Sequence, residues 1–396
     1  MIVVGGGPVG LLTALGLAAR DVPVVVLEAE PDLTVDLRAG TFHPPSLEMM
    51  EAHGITARML ERGIKVPRWQ IRDRNDGVIV EWDLSVLADV TPYPYRLHLE
   101  QHRLTPIIHE KLTAFPHARV RFGACVTAVT QAADGAEVTV QAGAAEERLR
   151  ARYVVGADGG RSAVRKSTGV EFAGFTWPER FAVISTKQGF AEYGFAPNAY
   201  IADPDEWAAL FQMPGDGPPG LWRAVFPVPQ DESDARALAD DACERRLQGL
   251  LARADPYRLA YRSIYNVHQR VAADFRQGRI VLAGDAAHLN NPLGAFGLNG
   301  GIHDAVNLAE KLARVYHGDA DEEMLDLYTR QRRTANIEQV QANSISNKRR
   351  LEARDPAVRR RNFAELRRIA DDPAQCREFL LVSSMIESVK RAARTA

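Results

Sequence analysis

Two short, unbroken apolar runs flank an alanine- and leucine-rich segment at the start of the chain: Ile2 to Val4, then Leu11 to Arg20, then Val22 to Glu28. Uninterrupted apolar strands around one helix suit a parallel sheet covered on both faces, so this stretch reads as a βαβ unit turning at Gly5 to Gly10. Alternating runs from Trp69 to Trp82 around Asn75-Asp76-Gly77 predict a hairpin. A helix is predicted from about Glu100 to Ala114. Strands follow at Val126 to Gln131 and Glu137 to Gln141, joined at Asp134-Gly135, with a return strand at Arg148 to Val155.

From about residue 171 to 267 the pattern becomes irregular and richer in aromatics and prolines. It predicts a mostly β region with a strand at Leu221 to Val228, broken by a helix at about Asp234 to Ala252. A buried parallel-type strand returns at Arg279 to Gly284, followed by a glycine-rich loop and a helix from Ile302 to Val315. From about Glu322 the chain reads as charged helix, with arginine clusters at Arg349-Arg350 and Arg359 to Arg361, a set of solvated helices packing on the body. The pattern predicts a discontinuous nucleotide-binding domain (1–72, 97–170 and 268–330), a substrate domain (73–96 and 171–267) and a C-terminal helical region (331–396).

At 396 residues the chain is long for one domain and short for three. A net charge of −2 gives no electrostatic reason to expect nucleic acid or an anionic membrane as partner. No apolar run approaches the ~18 residues of a membrane span, and the apolar start lacks a basic leader. Cys125, Cys243 and Cys376 lie far apart, at neither metal nor redox spacing, which points to a reducing compartment and a cytoplasmic location. Met1 directly abuts the first strand, which ordinarily has a few residues before it, and the pattern leaves open whether the start is trimmed or misassigned.

Three glycine–acid motifs carry the chemistry. In Gly5-Gly6-Gly7-Pro8-Val9-Gly10, Gly5 permits the tight turn, Gly7 lets the backbone approach a pyrophosphate, and Gly10 lets the helix pack on the sheet. The helix N-terminus adds amides and positive dipole. Glu28, at the end of the second strand, is placed to accept from a ribose diol. This motif alone does not separate FAD from NAD. In the second, Tyr153 to Val155 delivers Asp158 into a turn of small residues, with Ser162 as a helix cap; an ordinary aspartate–glycine turn reads the same way. The third runs from Gly278 through Gly284-Asp285-Ala286-Ala287-His288 to Gly297-Leu298-Asn299-Gly300-Gly301. Its strand ends in an aspartate that can bind a sugar-like hydroxyl. The turn beyond it offers amides that would stabilise negative charge on a flavin ring.

In this order the motifs resemble those of the para-hydroxybenzoate hydroxylase family, the class A flavoprotein monooxygenases, over roughly residues 1–330. The resemblance implies an α/β fold: a Rossmann-like FAD-binding domain of glutathione reductase type, an inserted mixed, mainly β, substrate domain and a helical C-terminus. It implies that Gly5, Gly7 and Gly10, with Pro8 and Val9 between them, hold the FAD pyrophosphate, and Glu28 the adenosine ribose. Asp285 would bind the ribityl chain, and amides near Gly297, Leu298 and Asn299 would meet the isoalloxazine. Asp158 would serve both FAD and the nicotinamide cofactor. Arg38-Ala39-Gly40 looks like the family's R-x-G segment, Gln101 like its ribityl-region glutamine, and Val126 like the residue offering backbone to adenine. Where the family has two prolines after the histidine, this chain has Asn290-Asn291-Pro292, so only Pro292 matches.

The implied reaction uses NADPH or NADH to reduce FAD, adds oxygen at the flavin C4a, and transfers OH from the hydroperoxide to a phenolic or heteroaromatic ring. Arg223 falls where the family places an arginine near the flavin, and is expected to position substrate or flavin; a surface arginine on a strand is the alternative. Trp207, Phe211, Trp222 and Phe226 are expected to line the pocket or to be core. His98, His102 and His109 lack an Asp or Cys partner, so no metal is expected. His288 reads as structural rather than acid–base. The rival readings are a halogenase or reductase of the same fold, or a flavin-binding protein without hydroxylase activity. The halogenase W-x-W-x-I-P motif is absent. The partners expected are a small aromatic and O2, with a homodimer contact at the C-terminal helices.

Overall fold

The computed structural model describes residues 1–35, 39–143, 145–218 and 220–396. A six-stranded sheet runs in the order Arg276–Gln277, Ile280–Leu282, Val154–Gly156, Ile2–Val4, Val24–Leu27, Ala118–Arg121. All its pairings are parallel except the antiparallel edge strand Arg276–Gln277. The helices Pro8–Ala18 and Phe296–His317 cover it, and their contact is close: a Cβ on Gly16 would stand 2.7 Å from that of Ala309. The chain is an α/β protein with a helical C-terminus, as expected.

An eight-stranded sheet forms the second layer. At its centre the long strands Phe172–Thr186 and Leu259–Ala272 pair antiparallel, and Leu221–Val228 sits beside the first of them. Both strands of the predicted hairpin, Arg68–Asp73 and Gly77–Asp83, belong to its far edge, so the expected border at 72/73 falls inside that hairpin. The C-terminal helices Pro356–Asp371 and Pro373–Ser383 start at Asp355-Pro and Asp372-Pro. Each aspartate accepts from two helix amides, and the proline takes the first helical position. Their apolar faces, with Phe363, Leu366 and Leu380, close over Trp69, Trp82 and Trp207 of the sheet. Trp82 is fully buried and stacks on Phe379 at 4.2 Å. Trp82→Ala is therefore expected to cost about 3–5 kcal/mol in denaturant unfolding; a loss under 1 kcal/mol would mean that these helices do not dock there.

Three elements differ from expectation. The return strand predicted at 148–155 is two strands: Ala145–Ala151, with alternating exposure, closes a small antiparallel sheet, whereas the buried Val154–Gly156 enters the parallel sheet. The helix predicted at 234–252 breaks into Asp234–Ala237 and Asp240–Leu250. The helix predicted from Ile302 begins at Phe296. Gly301, a poor helix former by propensity, is there for close approach: a Cβ on it would come within 2.6 Å of Val9. Among the described residues no helix is long and apolar enough to cross a membrane.

Candidate active site

Four adjacent parallel strands end together. Val4, Leu27, Gly156 and Leu282 are in register, so the residues that follow them, Gly5, Glu28, Asp158 and Asp285, gather along one edge of the sheet. Ligands of open α/β sheets bind at these carboxyl ends. A cavity of 640 Å³ opens there and extends to the eight-stranded sheet.

Gly5, Gly7, Pro8, Val9 and Glu28 line the cavity, with Gln101, Val126, Asp158, Asp285, Pro292, Gly297 and Leu298. Arg223 lines its far wall and is 3% exposed, so it is not a surface arginine. Gly10 and Asn299 stand outside the lining. A Cβ on Gly10 would fall 2.0 Å from the Gly5 carbonyl oxygen, so Gly10 shapes the turn from behind. The Asn299 side chain is committed to the protein: it accepts from the His43 amide and Ser46 hydroxyl at 2.8 and 2.7 Å, and donates to the carbonyls of Thr41 and Ala295. Arg38 lies outside the described residues.

The glycine turn fits a dinucleotide. Gly5 has φ +104°, and a Cβ there would meet the Ala157 carbonyl oxygen at 2.4 Å, so its own fold demands glycine. Gly7 has ordinary extended backbone, and a Cβ there would meet nothing within 4 Å. No protein neighbour requires glycine at that position; a phosphate approaching the start of the helix Pro8–Ala18 would. The Glu28 carboxylate holds the turn by accepting from the Gly6 and Glu30 amides.

The second motif is fixed by its helix. Asp158 accepts from the Ser162 hydroxyl at 2.5 Å and the Val164 amide at 3.1 Å, while Ser162 caps the helix by accepting from the Arg165 amide. Arg165, which the sequence did not single out, ties this motif to the third: its guanidinium donates to the carbonyls of Gly160 and Ala286 at 2.8 and 2.9 Å.

A buried ion cluster holds the third motif. Asp304 is fully buried and accepts from His288 at 2.6 Å, Arg332 at 2.7 Å and the Gly284 amide at 3.0 Å. Burial alone would raise its carboxyl; His288 and Arg332 outweigh this and hold it well below the ordinary carboxylate range. His288 is thus structural, and Asp304 is the partner that sequence reasoning missed, being sixteen residues away on a helix face. The departure at Asn290-Asn291 also has a physical account. Asn291 is buried, its amide and side chain both donate to Gln269, and its side-chain oxygen accepts from the Leu293 amide. The loop is held by these bonds, with Asn290 and Pro292 facing the cavity. Ala295, at φ +59°, turns the chain into the helix Phe296–His317, so that helix N-terminus faces the cavity.

Strand alternation decides the far wall. Val183, Phe211, Arg223 and Val225 face the cavity. Trp222 and Phe226 point to the opposite face and belong to a separate core with Phe190, while Trp207 packs edge-on to Phe181 at 4.9 Å. Of the four aromatics expected at the pocket, Phe211 alone lines it. His98 lies on the strand Arg96–His98 with its Nδ1 on the Gln212 carbonyl, whereas His102 and His109 sit on the following helix, Gln101–Thr113. Burial, then Arg96 and Arg223, pushes His98 down to about 4.

Comparison with known proteins agrees with this geometry. The model of a family described as "FAD binding domain" matches residues 1–344. A para-nitrophenol 4-monooxygenase from a Pseudomonas species is 38% identical over 385 residues, 96% of this chain and 94% of that protein. A 6-hydroxy-3-succinoylpyridine 3-monooxygenase from Pseudomonas putida is 33% identical over 390 residues, 98% of each chain. The crystal structure of a p-nitrophenol 4-monooxygenase from Pseudomonas putida superposes with a TM-score of 0.92 at 36% identity, covering 98% of this chain and 97% of that one. The chain belongs to the FAD-binding domain family and is a class A flavoprotein monooxygenase, an FAD-dependent aromatic hydroxylase that draws its electrons from NAD(P)H.

Proposed function

We propose that this enzyme hydroxylates a small, single-ring phenol such as 4-nitrophenol, held between the flavin site and the wall formed by Val183, Phe211, Arg223 and Val225. The observation that carries this reading is the single continuous cavity, which runs from the Gly5–Gly7 turn to a mostly apolar wall bearing one buried guanidinium. The names of the two similar enzymes, one acting on a nitrophenol and the other on a hydroxypyridine, support the same class.

In this reading the turn Gly5–Val9 receives the pyrophosphate on its free amides, with Pro8 bordering it and Gly10 shaping the turn from behind, Glu28 accepts from the adenosine ribose, and Val126 borders the adenine. Asp285 and Gln101 hold the ribityl hydroxyls. The amides at Gly297 and Leu298, at the positive end of a 22-residue helix, stabilise negative charge on the flavin pyrimidine. Asn299 acts by bracing that turn against His43 and Ser46, and Asp158 by fixing the turn at Gly159. Arg38 is kept as a flavin contact on sequence grounds.

When bound, FAD supplies the redox chemistry, accepting electrons from NAD(P)H and activating O2 for transfer to the ring. The chain's own part is to orient and to exclude water. Val183, Phe211 and Val225 present apolar surface to the ring, and Arg223 fixes its polar edge. A division into FAD-binding segments (1–72, 97–170 and 268–330), a substrate region (73–96 and 171–267) and C-terminal helices (331–396), a cytoplasmic location and a homodimer belong to the same reading.

The test is a panel of substituted phenols and hydroxypyridines, following NAD(P)H oxidation, oxygen uptake and hydroxylated product. Coupled consumption with a single-ring phenol is expected. Arg223→Ala is expected to keep bound FAD and lose hydroxylation by about 100-fold or more, the scale of removing a charge-assisted contact to the reacting substrate. Unchanged turnover in that variant would remove Arg223 from the site.

A further inference from the structure

The long helix that starts at Glu323 changes its winding where it passes the loop of the third motif. Glu323–Ala335 and Ala342–Leu351 are α-helical, whereas the six residues between them, Asn336–Gln341, form a π-helix. Such turns are rare and gather at functional sites. The reading above does not use this one.

Its geometric effect is on register. Arg332 faces the helix Phe296–His317, where it holds Asp304 and the Gly300 carbonyl. At about 3.6 residues per turn, an unbroken α-helix would carry Gln341 about 180° round from Arg332. The extra residue taken up by the wider turn brings it back by about 100°, to the same side. There Val340 packs with Phe296, and the Gln341 side-chain amide donates to the Leu289 carbonyl at 2.9 Å. One turn on, Ser344 accepts from Gln269, which in turn holds Asn291, and Asn347 donates to the Leu293 carbonyl at 3.3 Å. One face of this helix therefore runs along the whole loop from Leu289 to Phe296.

Gln341 grips that loop where it borders the cavity. Leu289, Asn290 and Pro292 line the cavity, whereas Asn291 is buried away from it. The Leu289 side chain also lies against the second motif, since a Cβ on Gly160 would stand 3.2 Å from it. Gln341 is steadied by the first residue of the π turn, because its amide also reaches Asn336 Oδ1 at 3.3 Å.

We propose that Gln341 is a positioning residue for hydroxylation: through the Leu289 carbonyl it fixes the loop leading to the amides of Gly297 and Leu298, and the π turn brings it there. A fixed loop keeps those amides aimed at the flavin and excludes water beside it. Reducing equivalents then go to hydroxylation and not to the leak in which NAD(P)H, a proton and O2 give NAD(P)+ and hydrogen peroxide. The inference rests on the placement of the isoalloxazine at Gly297 and Leu298 given above.

The test compares FAD-loaded parent and variants by amide hydrogen exchange, flavin reduction potential and peroxide yield with 4-nitrophenol. Gln341→Met, of similar length but without a donor, is expected to retain FAD and to exchange about five-fold faster at 289–296. Its peroxide per NAD(P)H should rise about five-fold as well, the change in population that loss of one hydrogen bond allows. Gln341→Glu, which sets an acceptor against the Leu289 carbonyl, should go at least as far. The flavin potential should fall in both, because amides aimed less well stabilise the reduced anion less. A merely structural role would lower the melting temperature and leave potential and peroxide yield at parent values, which overturns the inference. Gly297→Ala, whose methyl would enter the cavity lining, is the control for ring placement. A potential that moves in Gly297→Ala but not in Gln341→Met overturns the inference alone. A potential that moves in neither removes the ring placement, and the inference with it.

Discussion

Gly7→Val is expected to give a protein that folds like its parent but no longer retains FAD. Three glycines of one turn differ in what surrounds them. A Cβ on Gly7 meets nothing in the protein, and its backbone is extended, so the substitution should cost the unliganded fold no more than about 1 kcal/mol, the price of a poor helix N-cap. The isopropyl group would instead stand in the lane by which a pyrophosphate reaches the helix amides. Losing two charge-assisted bonds there corresponds to a weakening of roughly 100- to 1,000-fold. Gly5→Ala and Gly10→Ala should fail differently: their Cβ atoms would sit 2.4 and 2.0 Å from backbone oxygens, so the fold itself gives way. Unliganded melting curves together with flavin absorbance of the loaded proteins separate the two outcomes. A Gly7→Val protein that binds FAD as tightly as its parent would move the pyrophosphate elsewhere.

Asp304→Ala is expected to be the most damaging single change to stability. It would leave the buried Arg332 without its carboxylate and free both His288 and the Gly284 amide. Breaking one side of a buried ion pair costs on the order of 3–5 kcal/mol. The loss should extend to FAD, because Gly284 directly precedes Asp285. The pH dependence has a fixed sign. Because the folded pKa of Asp304 is depressed, its contribution is fully present above the unfolded carboxylate value of about 3.9 and is lost as pH falls through the lower folded one. Asp304→Asn should therefore flatten the acid limb of the parent's stability curve. Denaturant midpoints measured from neutral to acid pH would decide it, and an Asp304→Ala protein within 1 kcal/mol of the parent would contradict the cluster's role.

Where a residue's task is local in sequence, the chain announced it. Strand, glycine turn and helix are consecutive from Ile2 to Ala18, and the strand expected at Leu221 to Val228 matches end to end. Asp158 and Asp285 stood out because each follows an apolar strand. What stayed hidden depends on distant partners. Asp304 and Arg332 are ordinary charged positions of helices until the fold brings them against His288. Arg165 resembles any basic residue in a last helical turn, yet it donates to a carbonyl of the third motif 121 residues further along the chain. Arg96 lies in a three-residue strand whose sequence gives no sign of its burial. The glycines at 297, 300 and 301 read as loop because propensity disfavours them in a helix. The close approach of Val9 to Gly301 decides otherwise. Strand alternation could have sorted Phe211 from Trp222 and Phe226, but which face meets the cavity depends on the neighbouring sheet.

The account stands on a single ligand lying across the ends of four parallel strands. A crystal structure of the protein loaded with FAD measures this most directly. The pyrophosphate is expected within hydrogen-bond reach of the amides at Gly7 and Val9, the ribityl chain beside Asp285, and the isoalloxazine over Gly297 and Leu298 facing Arg223. A protein that stays colourless after incubation with FAD, or a flavin bound away from Gly7 and Asp285, would contradict it.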